Sequence, residues 1–178
     1  MKIWIAWAFS TGKTTLAEEL HKNLPGYLLD IDAERDLADM LDFDFNSHDK
    51  LEKAKYQARL YVYSKNIVNI TDNIITDSPL QVHLWYTDNW VIYDLIYKNM
   101  SDLYDVLLYL PPEIEIENDW IRNIDKEYQK KVDEKIKEAC CVTEIRNPNC
   151  IVKTIKGDIN ERLIQSLEII KDLNNVNK

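Results

Sequence analysis

The chain has 178 residues, of which 46% are hydrophobic and 30% are charged, a balance that excludes a long disordered chain and is typical of one globular domain. Its 22 Lys and Arg residues are outnumbered by 31 Asp and Glu residues. The resulting net charge of −9 disfavours an extended surface for DNA or RNA, although a small nucleotide needs only a few cations.

The first predicted elements are an apolar strand at residues 3–5 and a helix with apolar positions from Leu16 onward. Between them lies Gly-Lys-Thr-Thr at residues 12–15, which gives the strand–loop–helix order of a phosphate-binding loop. In such a loop the backbone N–H groups surround the β-phosphate, the Lys side chain reaches the β- and γ-phosphate oxygens, and the hydroxyl after it binds Mg²⁺. The residues expected to contact ATP are Ala8, Phe9, Ser10, Thr11, Gly12, Lys13, Thr14 and Thr15.

One position departs from this motif. The full pattern has Gly five residues before Gly12, and this chain has Trp7 there. Because glycine allows a tight turn that a side chain resists, we expect Trp7 to weaken nucleotide binding or to reshape the loop. The alternative interpretation of the whole segment is an ordinary strand–turn–helix unit with Lys13 on the surface.

The next elements continue the alternation of strands and helices. A strand is predicted at Tyr27–Asp30 after a Pro-Gly turn, and a helix follows through Leu37 to Leu41. Apolar residues at helical spacing predict a long helix from Asp49 to Ile70. A short apolar run predicts a buried strand at Asn73–Asp77.

The second half of the chain has the same organisation. An aromatic-rich helix is predicted at residues 81–97, and the clearest strand is Tyr104–Leu110, which ends at two prolines. Residues 113–139 are charged and mostly helical in pattern. A fifth strand at Ile151–Ile155 is followed by an amphipathic helix at Ile159–Leu173.

This alternation predicts a parallel sheet with helices on both faces and its ligand at the carboxyl ends of the strands. The expected fold is an α/β P-loop NTPase: a three-layer α/β/α sandwich with a five-stranded parallel sheet and a helical lid at about residues 113–140. No linker divides the chain, so residues 1–178 are expected to form a single domain. No apolar run is long enough for a membrane span, and three cysteines without metal-ligand spacing suit reduced thiols, so a cytoplasmic location is expected.

Six segments carry a family resemblance: Ala8–Thr15, Asp32–Arg35, Ile75–Leu80, Tyr104–Glu113, Glu117–Arg122, and Gly157-Asp158 with Arg162. In this order the chain resembles small P-loop kinases of the nicotinamide-riboside-kinase type, which include the ATPase domain of bacterial NAD regulators and its phage relatives. The resemblance covers nearly the whole chain. It implies an ATP- and Mg²⁺-dependent kinase that phosphorylates a small nucleoside, nucleotide or nicotinamide-riboside-like hydroxyl acceptor. Relatives usually have Gly where this chain has Trp7, and often where it has Trp120. One hypothesis is that both are UGA codons that the source reads as Gly, and the alternative is natural drift in a loop that tolerates Trp.

Phosphoryl transfer needs neutralisation of the transferring group, and the chain offers residues for it. Lys13 is expected to neutralise the phosphate oxygens, and Thr14 and Asp77 are expected to hold Mg²⁺. The alternative role of Asp77 is a helix N-cap or a turn residue before Pro79.

Four further residues are site candidates. Asp30 or Asp32, after the second strand, is expected to take the proton of the acceptor hydroxyl or to fix a ribose, and the alternative is that they cap the next helix. Arg122, in the predicted lid, is expected to bring positive charge onto the phosphates, unless it belongs to a solvated helix face. Arg162 is expected near the adenine, unless it only stabilises its own helix.

Two other functions remain open at this stage. The chain could bind or hydrolyse a nucleoside triphosphate without transferring its phosphoryl group, because Trp7 impairs transfer. It could also be a phage-type kinase for polynucleotide ends or modified bases in DNA, which the net charge of −9 disfavours. The residues indicate neither the acceptor nor the oligomeric state.

Overall fold

The computed structural model describes residues 1–7, 11–44, 49–77, 104–113 and 126–176. The strands within these ranges are β1 (Lys2–Trp7), β2 (Leu28–Asp30), β3 (Ile74–Thr76), β4 (Val106–Leu110) and β5 (Ile151–Thr154). The helices are α1 (Lys13–Asn23), α2 (Ala33–Leu41), α3 (Lys50–Ile70), α4 (Lys126–Arg146) and α5 (Ile159–Val176). The helix predicted at residues 81–97 lies outside the described ranges.

Strand β1 lies at the centre of a five-stranded sheet, where its apolar residues are buried on both faces. The strand order is β2-β3-β1-β4-β5, and every neighbouring pair is parallel. Trp4 lies opposite Thr76 of β3 on one side and opposite Leu107 of β4 on the other. The carboxyl ends of all five strands therefore meet at one edge, and this is the edge at which the predicted phosphate loop begins.

Alternate residues of β1 pack on opposite sides of the sheet, as the period of two of an extended strand requires. Ile3 and Ile5 are fully buried in a cluster with Leu16 of α1 and Ile170 of α5. This cluster forms the layer on one face and anchors the helix that follows the phosphate loop.

The other face of the sheet is covered by α3 and α4. Trp4 packs in a second buried cluster with Val68 of α3, Leu107 of β4 and Ile136 of α4. Helices thus cover both faces, and the predicted α/β fold of a P-loop NTPase with a five-stranded parallel sheet is confirmed.

Two helices show what sets their boundaries. Helix α3 begins after Asp49, whose carboxylate accepts hydrogen bonds from the N–H groups of Leu51 at 2.8 Å and Glu52 at 3.3 Å. Helix α4 continues past Ala139, its predicted end, to Arg146, because its inner side packs against the sheet. Residues 132–140, in the range expected to be a lid, therefore belong to the layer that covers the sheet. None of the described helices is long and apolar enough to cross a membrane.

Candidate functional site

The phosphate-loop segment ends at Gly12, from which helix α1 starts. Gly12 has φ 77° and ψ 22°, a left-handed conformation that favours glycine. The first helical hydrogen bond runs from the N–H of Leu16 to the carbonyl of Gly12 at 3.0 Å. The amino end of α1, with its partial positive charge, therefore lies at the carboxyl edge of the sheet.

Several predicted nucleotide contacts lie outside the described residues. These are Ala8, Phe9 and Ser10, and the side chain of Trp7 is likewise not described. Of the remaining loop residues, Thr11 is buried and Thr15 is exposed.

Asp77 is the centre of the site. Its carboxylate is fully buried, and its Oδ2 atom accepts a hydrogen bond from the Thr14 hydroxyl at 2.8 Å. The same oxygen lies 3.6 Å from Nζ of Lys13, while Oδ1 accepts the backbone N–H of Asp32 at 3.1 Å. One side chain after β3 thus joins the start of α1 to the end of β2.

The backbone holds Asp77 in this position. Its N–H donates to the carbonyl of Asp30 at 3.1 Å, which extends the pairing of β2 and β3 by one residue beyond the ladder. Both residues lie at the carboxyl edge of the sheet, but only the Asp77 side chain faces the start of α1. Of the predicted site residues, the structure brings Lys13, Thr14 and the backbone of Asp32 to the Asp77 carboxylate, whereas the Asp30 side chain has other partners.

The oxygens of Thr14 and Asp77 fit a magnesium ion. Mg²⁺ takes six oxygen ligands at about 2.1 Å, so that neighbouring ligands lie about 2.9 Å apart. The 2.8 Å between the Thr14 hydroxyl and Asp77 Oδ2 matches that spacing. No cluster of three His, Cys, Asp or Glu side chains within the described ranges could hold a metal alone, so the other ligands would come from phosphates and water.

Asp30 is buried in a hydrogen-bonded network below the surface of the site. Its Oδ2 accepts the Thr76 hydroxyl at 2.8 Å, and its Oδ1 accepts the Tyr63 hydroxyl of α3 at 3.0 Å. Burial raises the pKa of Asp30, and the two hydrogen bonds oppose that rise because they stabilise the carboxylate. Both oxygens of the Asp30 side chain thus accept hydrogen bonds from β3 and α3, rather than from the start of α2.

Asp32 is the first residue before α2, and its side chain makes no capping hydrogen bond to that helix. Its backbone has φ 53°, a left-handed conformation that Asp tolerates better than most residues but that still costs free energy. The helix-capping alternative for Asp32 therefore lacks its defining hydrogen bond. The carboxylate is half-buried at the carboxyl edge, beside the backbone contact to Asp77.

Glu34 is a site residue that sequence reasoning did not select. Burial raises the pKa of its carboxyl group, Lys13 opposes the rise, and the charges of Asp77 and Asp32 reinforce it. Its backbone carbonyl accepts the Tyr56 hydroxyl of α3 at 2.6 Å. The motif around Asp32 includes Glu34, but only the fold shows that the charge of Lys13 acts on the Glu34 carboxyl group. Tyr63 and Thr76, which bond to Asp30, carried no sequence signal that marked them as site residues.

Arg162, expected near the adenine, lies behind the phosphate loop. Its side chain is fully buried, and its guanidinium donates to the backbone carbonyl of Thr11 at 2.6 Å. It also donates to the carbonyl of Pro111 at 3.4 Å and lies 3.6 Å from Oε2 of Glu113. Arg122 lies outside the described residues.

Comparison with known proteins agrees with this architecture. The sequence model of a family described as AAA domain matches residues 2–162. No curated protein matches the chain.

Several solved structures share the fold. A thymidylate kinase from Candida albicans is 20% identical, with 97% of this chain and 92% of that chain covered and a TM-score of 0.71. The NadR protein in complex with NR is 17% identical, with 96% and 50% covered and a TM-score of 0.69. A deoxyadenosine kinase from M. mycoides with bound dATP is 20% identical, with 98% and 100% covered and a TM-score of 0.58. At these identities the likeness establishes the fold that this chain has in common with them.

Proposed function

Because the chain belongs to the AAA domain family, we propose that it is an ATP-dependent kinase that transfers a phosphoryl group to a hydroxyl group of a small nucleoside-like acceptor. The observation that carries the proposal is the joining of Lys13, Thr14 and Asp77 at the amino end of α1. A cation, a hydroxyl and a buried carboxylate at that position are the groups that phosphoryl transfer requires.

Lys13 and the first turn of α1 bind the nucleotide in this mechanism. The Lys13 ammonium, now 3.6 Å from Asp77, is 18% exposed and moves onto the β- and γ-phosphate oxygens when ATP binds. Thr14 and Asp77 would hold Mg²⁺, which when bound neutralises charge on those phosphates. Asp77 also keeps the Thr14 hydroxyl and the start of α2 in place through its two oxygens.

Asp32 acts on the acceptor. Its carboxylate takes the hydroxyl proton while the acceptor oxygen bonds to the γ-phosphorus and the bond from that phosphorus to the bridging oxygen of ADP breaks. Asp30 is less suited to this step, because Thr76 and Tyr63 already occupy both of its oxygens. We assign Asp30 the role of holding the end of β2, from which Asp32 projects.

The charges around the acceptor side favour an acceptor without a phosphate group. Asp32 and Glu34 lie at the start of α2, Asp30 is buried in the network beneath them, and Lys13 is committed to the nucleotide. A phosphorylated acceptor would need further cations, but Arg35 is outnumbered by Asp32, Glu34 and Asp36, and the sequence has no Lys or Arg between Lys65 and Lys98. A neutral nucleoside, including one of the nicotinamide-riboside type, avoids this repulsion.

The structural neighbours are compatible with a neutral nucleoside acceptor but do not distinguish it from a phosphorylated one. One is a thymidylate kinase and another is NadR in complex with NR. The resemblance in the six sequence segments favours an acceptor like that of NadR. The carboxylates near Asp32 favour such an unphosphorylated acceptor independently.

The test is transfer of labelled γ-phosphate from ATP with Mg²⁺ to a panel of nicotinamide riboside, nucleosides, their monophosphates and single-stranded DNA. We expect a labelled product from an unphosphorylated nucleoside. The Lys13→Ala variant should lose about 100-fold or more of kcat/KM, because a cation at the transferring group is removed. Lys22→Ala, the same change on an exposed residue near the far end of α1, is the matched control and should retain activity.

Other outcomes identify what is wrong. Product from monophosphates alone would contradict the charge argument for a neutral acceptor. Nucleotide binding that depends on Lys13 without acceptor-dependent release of ADP would support a protein that binds or hydrolyses nucleoside triphosphates instead.

Trp7→Gly restores the residue that the loop motif specifies. We expect it to tighten nucleotide binding about 10-fold, the scale of one recovered backbone hydrogen bond. The measurement is the Kd of ATP by calorimetry beside the parent protein. An unchanged or weaker affinity would mean that the loop accommodates Trp7 without loss.

A further inference from the structure

Arg162 is an unusual side chain to bury completely. None of its surface is exposed, and its Nε–H group has no hydrogen-bond partner among the described residues. Among the described residues its ion-pair partner is Glu113, whose carboxylate lies 3.6 Å away and is 40% exposed. A charge held in this way is costly, and an apolar side chain of similar size would avoid the cost. The burial of Arg162 is therefore better explained by what it binds than by packing.

The strongest contact of Arg162 is to the peptide that joins Thr11 and Gly12. Its guanidinium donates to the Thr11 carbonyl at 2.6 Å, the shortest of its described contacts. In a planar trans peptide the carbonyl and the following N–H point in opposite directions. A guanidinium that holds the Thr11 carbonyl on the buried side therefore directs the Gly12 N–H to the opposite side of the peptide plane.

This peptide is one that can easily rotate. Gly12 has φ 77°, and a glycine populates positive and negative φ about equally well. A rotation of the Thr11–Gly12 peptide would turn the Gly12 N–H inwards and the carbonyl outwards. An outward carbonyl would repel a phosphate in the loop.

Arg162 also links three segments at the carboxyl edge of the sheet. It contacts the carbonyl of Pro111 after β4, and Glu113 next to it accepts the N–H of Gly157 at 3.1 Å. Gly157 precedes α5, and its φ of 95° makes that turn specific to glycine. The guanidinium is thus held by the Pro111 carbonyl just after β4 and by Glu113, which bonds the turn before α5, while it holds Thr11.

We propose that Arg162 is a positioning residue that fixes the Thr11–Gly12 peptide in the orientation that binds phosphate, with Glu113 fixing Arg162. The proposal rests on the proposed function, because it assumes that the loop binds the phosphates of a nucleotide. It assigns Arg162 to the phosphates through the loop backbone rather than to the adenine.

The test compares the binding of ATP and of inorganic pyrophosphate to the parent and to Arg162→Met, at a temperature where circular dichroism shows both to be folded. We expect both ligands to lose affinity by the same factor, about 10- to 100-fold, because both depend on the loop backbone. Arg162→Lys should recover only part of the loss, since one ammonium cannot reproduce the planar fork. A loss for ATP with unchanged pyrophosphate binding would place Arg162 at the adenine and overturn the proposal.

Tyr109→Phe is the matched control, because it removes a buried hydrogen bond, to Asp133, that belongs to the opposite face of the sheet. We expect it to lower the melting temperature and to leave both affinities unchanged. Equal losses in Tyr109→Phe and Arg162→Met would show general destabilisation and overturn the proposal.

Two further variants keep the result decisive. If Arg162→Met does not fold, Glu113→Gln replaces it, and its half-exposed site should tolerate the change. We expect a severalfold loss for both ligands, and unchanged affinities would overturn the proposal. A parent protein whose binding of both ligands is absent, or unaffected by Lys13→Ala, would overturn the proposed function itself.

Discussion

At the scale of single residues, the buried carboxylate of Asp77 serves three neighbours at once. It accepts the Thr14 hydroxyl and the Asp32 N–H, and it balances the charge of Lys13. A neutral amide of the same shape could accept one of these hydrogen bonds but could not supply the negative charge. The charge, more than the shape, is what the proposed magnesium site needs.

Asp77→Asn is therefore expected to lower kcat about 100-fold or more and to raise the Mg²⁺ concentration needed for half-maximal rate. The measurement is the rate of ADP formation across a Mg²⁺ titration. Asp105→Asn is the matched control, because that carboxylate accepts the Lys2 N–H at the opposite edge of the sheet. Asp105→Asn should keep the parental Mg²⁺ dependence, and an Asp77→Asn protein that also keeps it would contradict the assignment of Asp77.

Residues of the site differ in how far the sequence alone could identify them. Lys13 and Thr14 belong to a motif whose local order fixes their position, and Asp77 ends a predicted strand that must lie beside it. Tyr63 and Arg162 reach their partners across 33 and 151 positions of the chain. Neither contact follows from local pattern, since only the packing of α3 and α5 on the sheet creates it.

At the scale of elements, α3 supports the end of β2 through Tyr63. Burial and the adjacent carboxylate of Asp30 raise the pKa of Tyr63 to about 12, so its hydroxyl remains a donor at neutral pH. Burial in turn raises the pKa of Asp30 above its ordinary value of 3.8. The folded state therefore loses stability as the pH rises from that value through the raised pKa, because ionised Asp30 is buried.

Tyr63→Phe removes a hydrogen bond that offsets this loss. We expect the variant to be less stable than the parent by about 1 kcal/mol at neutral pH and by less at acidic pH, where Asp30 is protonated in both. Urea unfolding at the two pH values measures the difference. Tyr61→Phe, on the same helix, is the control and should show no such pH dependence. An equal destabilisation by Tyr63→Phe at both pH values would mean that its hydroxyl does not bond the charged carboxylate.

Element boundaries were predictable where a local signal marks them. Asp49 caps α3 as its position before the helical pattern indicates, and β4 ends at Leu110, before the prolines. The end of α4 was not predictable in this way, because Cys140 and Thr143 continue its buried side beyond the charged segment. Packing against the sheet, rather than composition, determines its length.

At the scale of the whole molecule, the net charge of −9 makes a long polyanion an unfavourable partner. We expect no measurable binding of single-stranded DNA by fluorescence anisotropy at low salt, under conditions where ATP with Mg²⁺ binds. ATP serves as the control for DNA. Both ligands carry phosphates, but only ATP is small enough to bind within the phosphate loop. Salt-sensitive DNA binding would instead favour a kinase that acts on polynucleotides.

The contact between Arg162 and Thr11 has a consequence for how the protein is made. The two residues are separated by 151 positions, and Thr11 emerges from the ribosome long before Arg162 has been synthesised. Strand β1, which leads into the loop, must also wait for β3 and β4 before it has neighbours on both sides. A nascent chain therefore carries a phosphate loop whose orienting side chain does not yet exist, and it should become able to hold a nucleotide only once α5 has been synthesised and has docked.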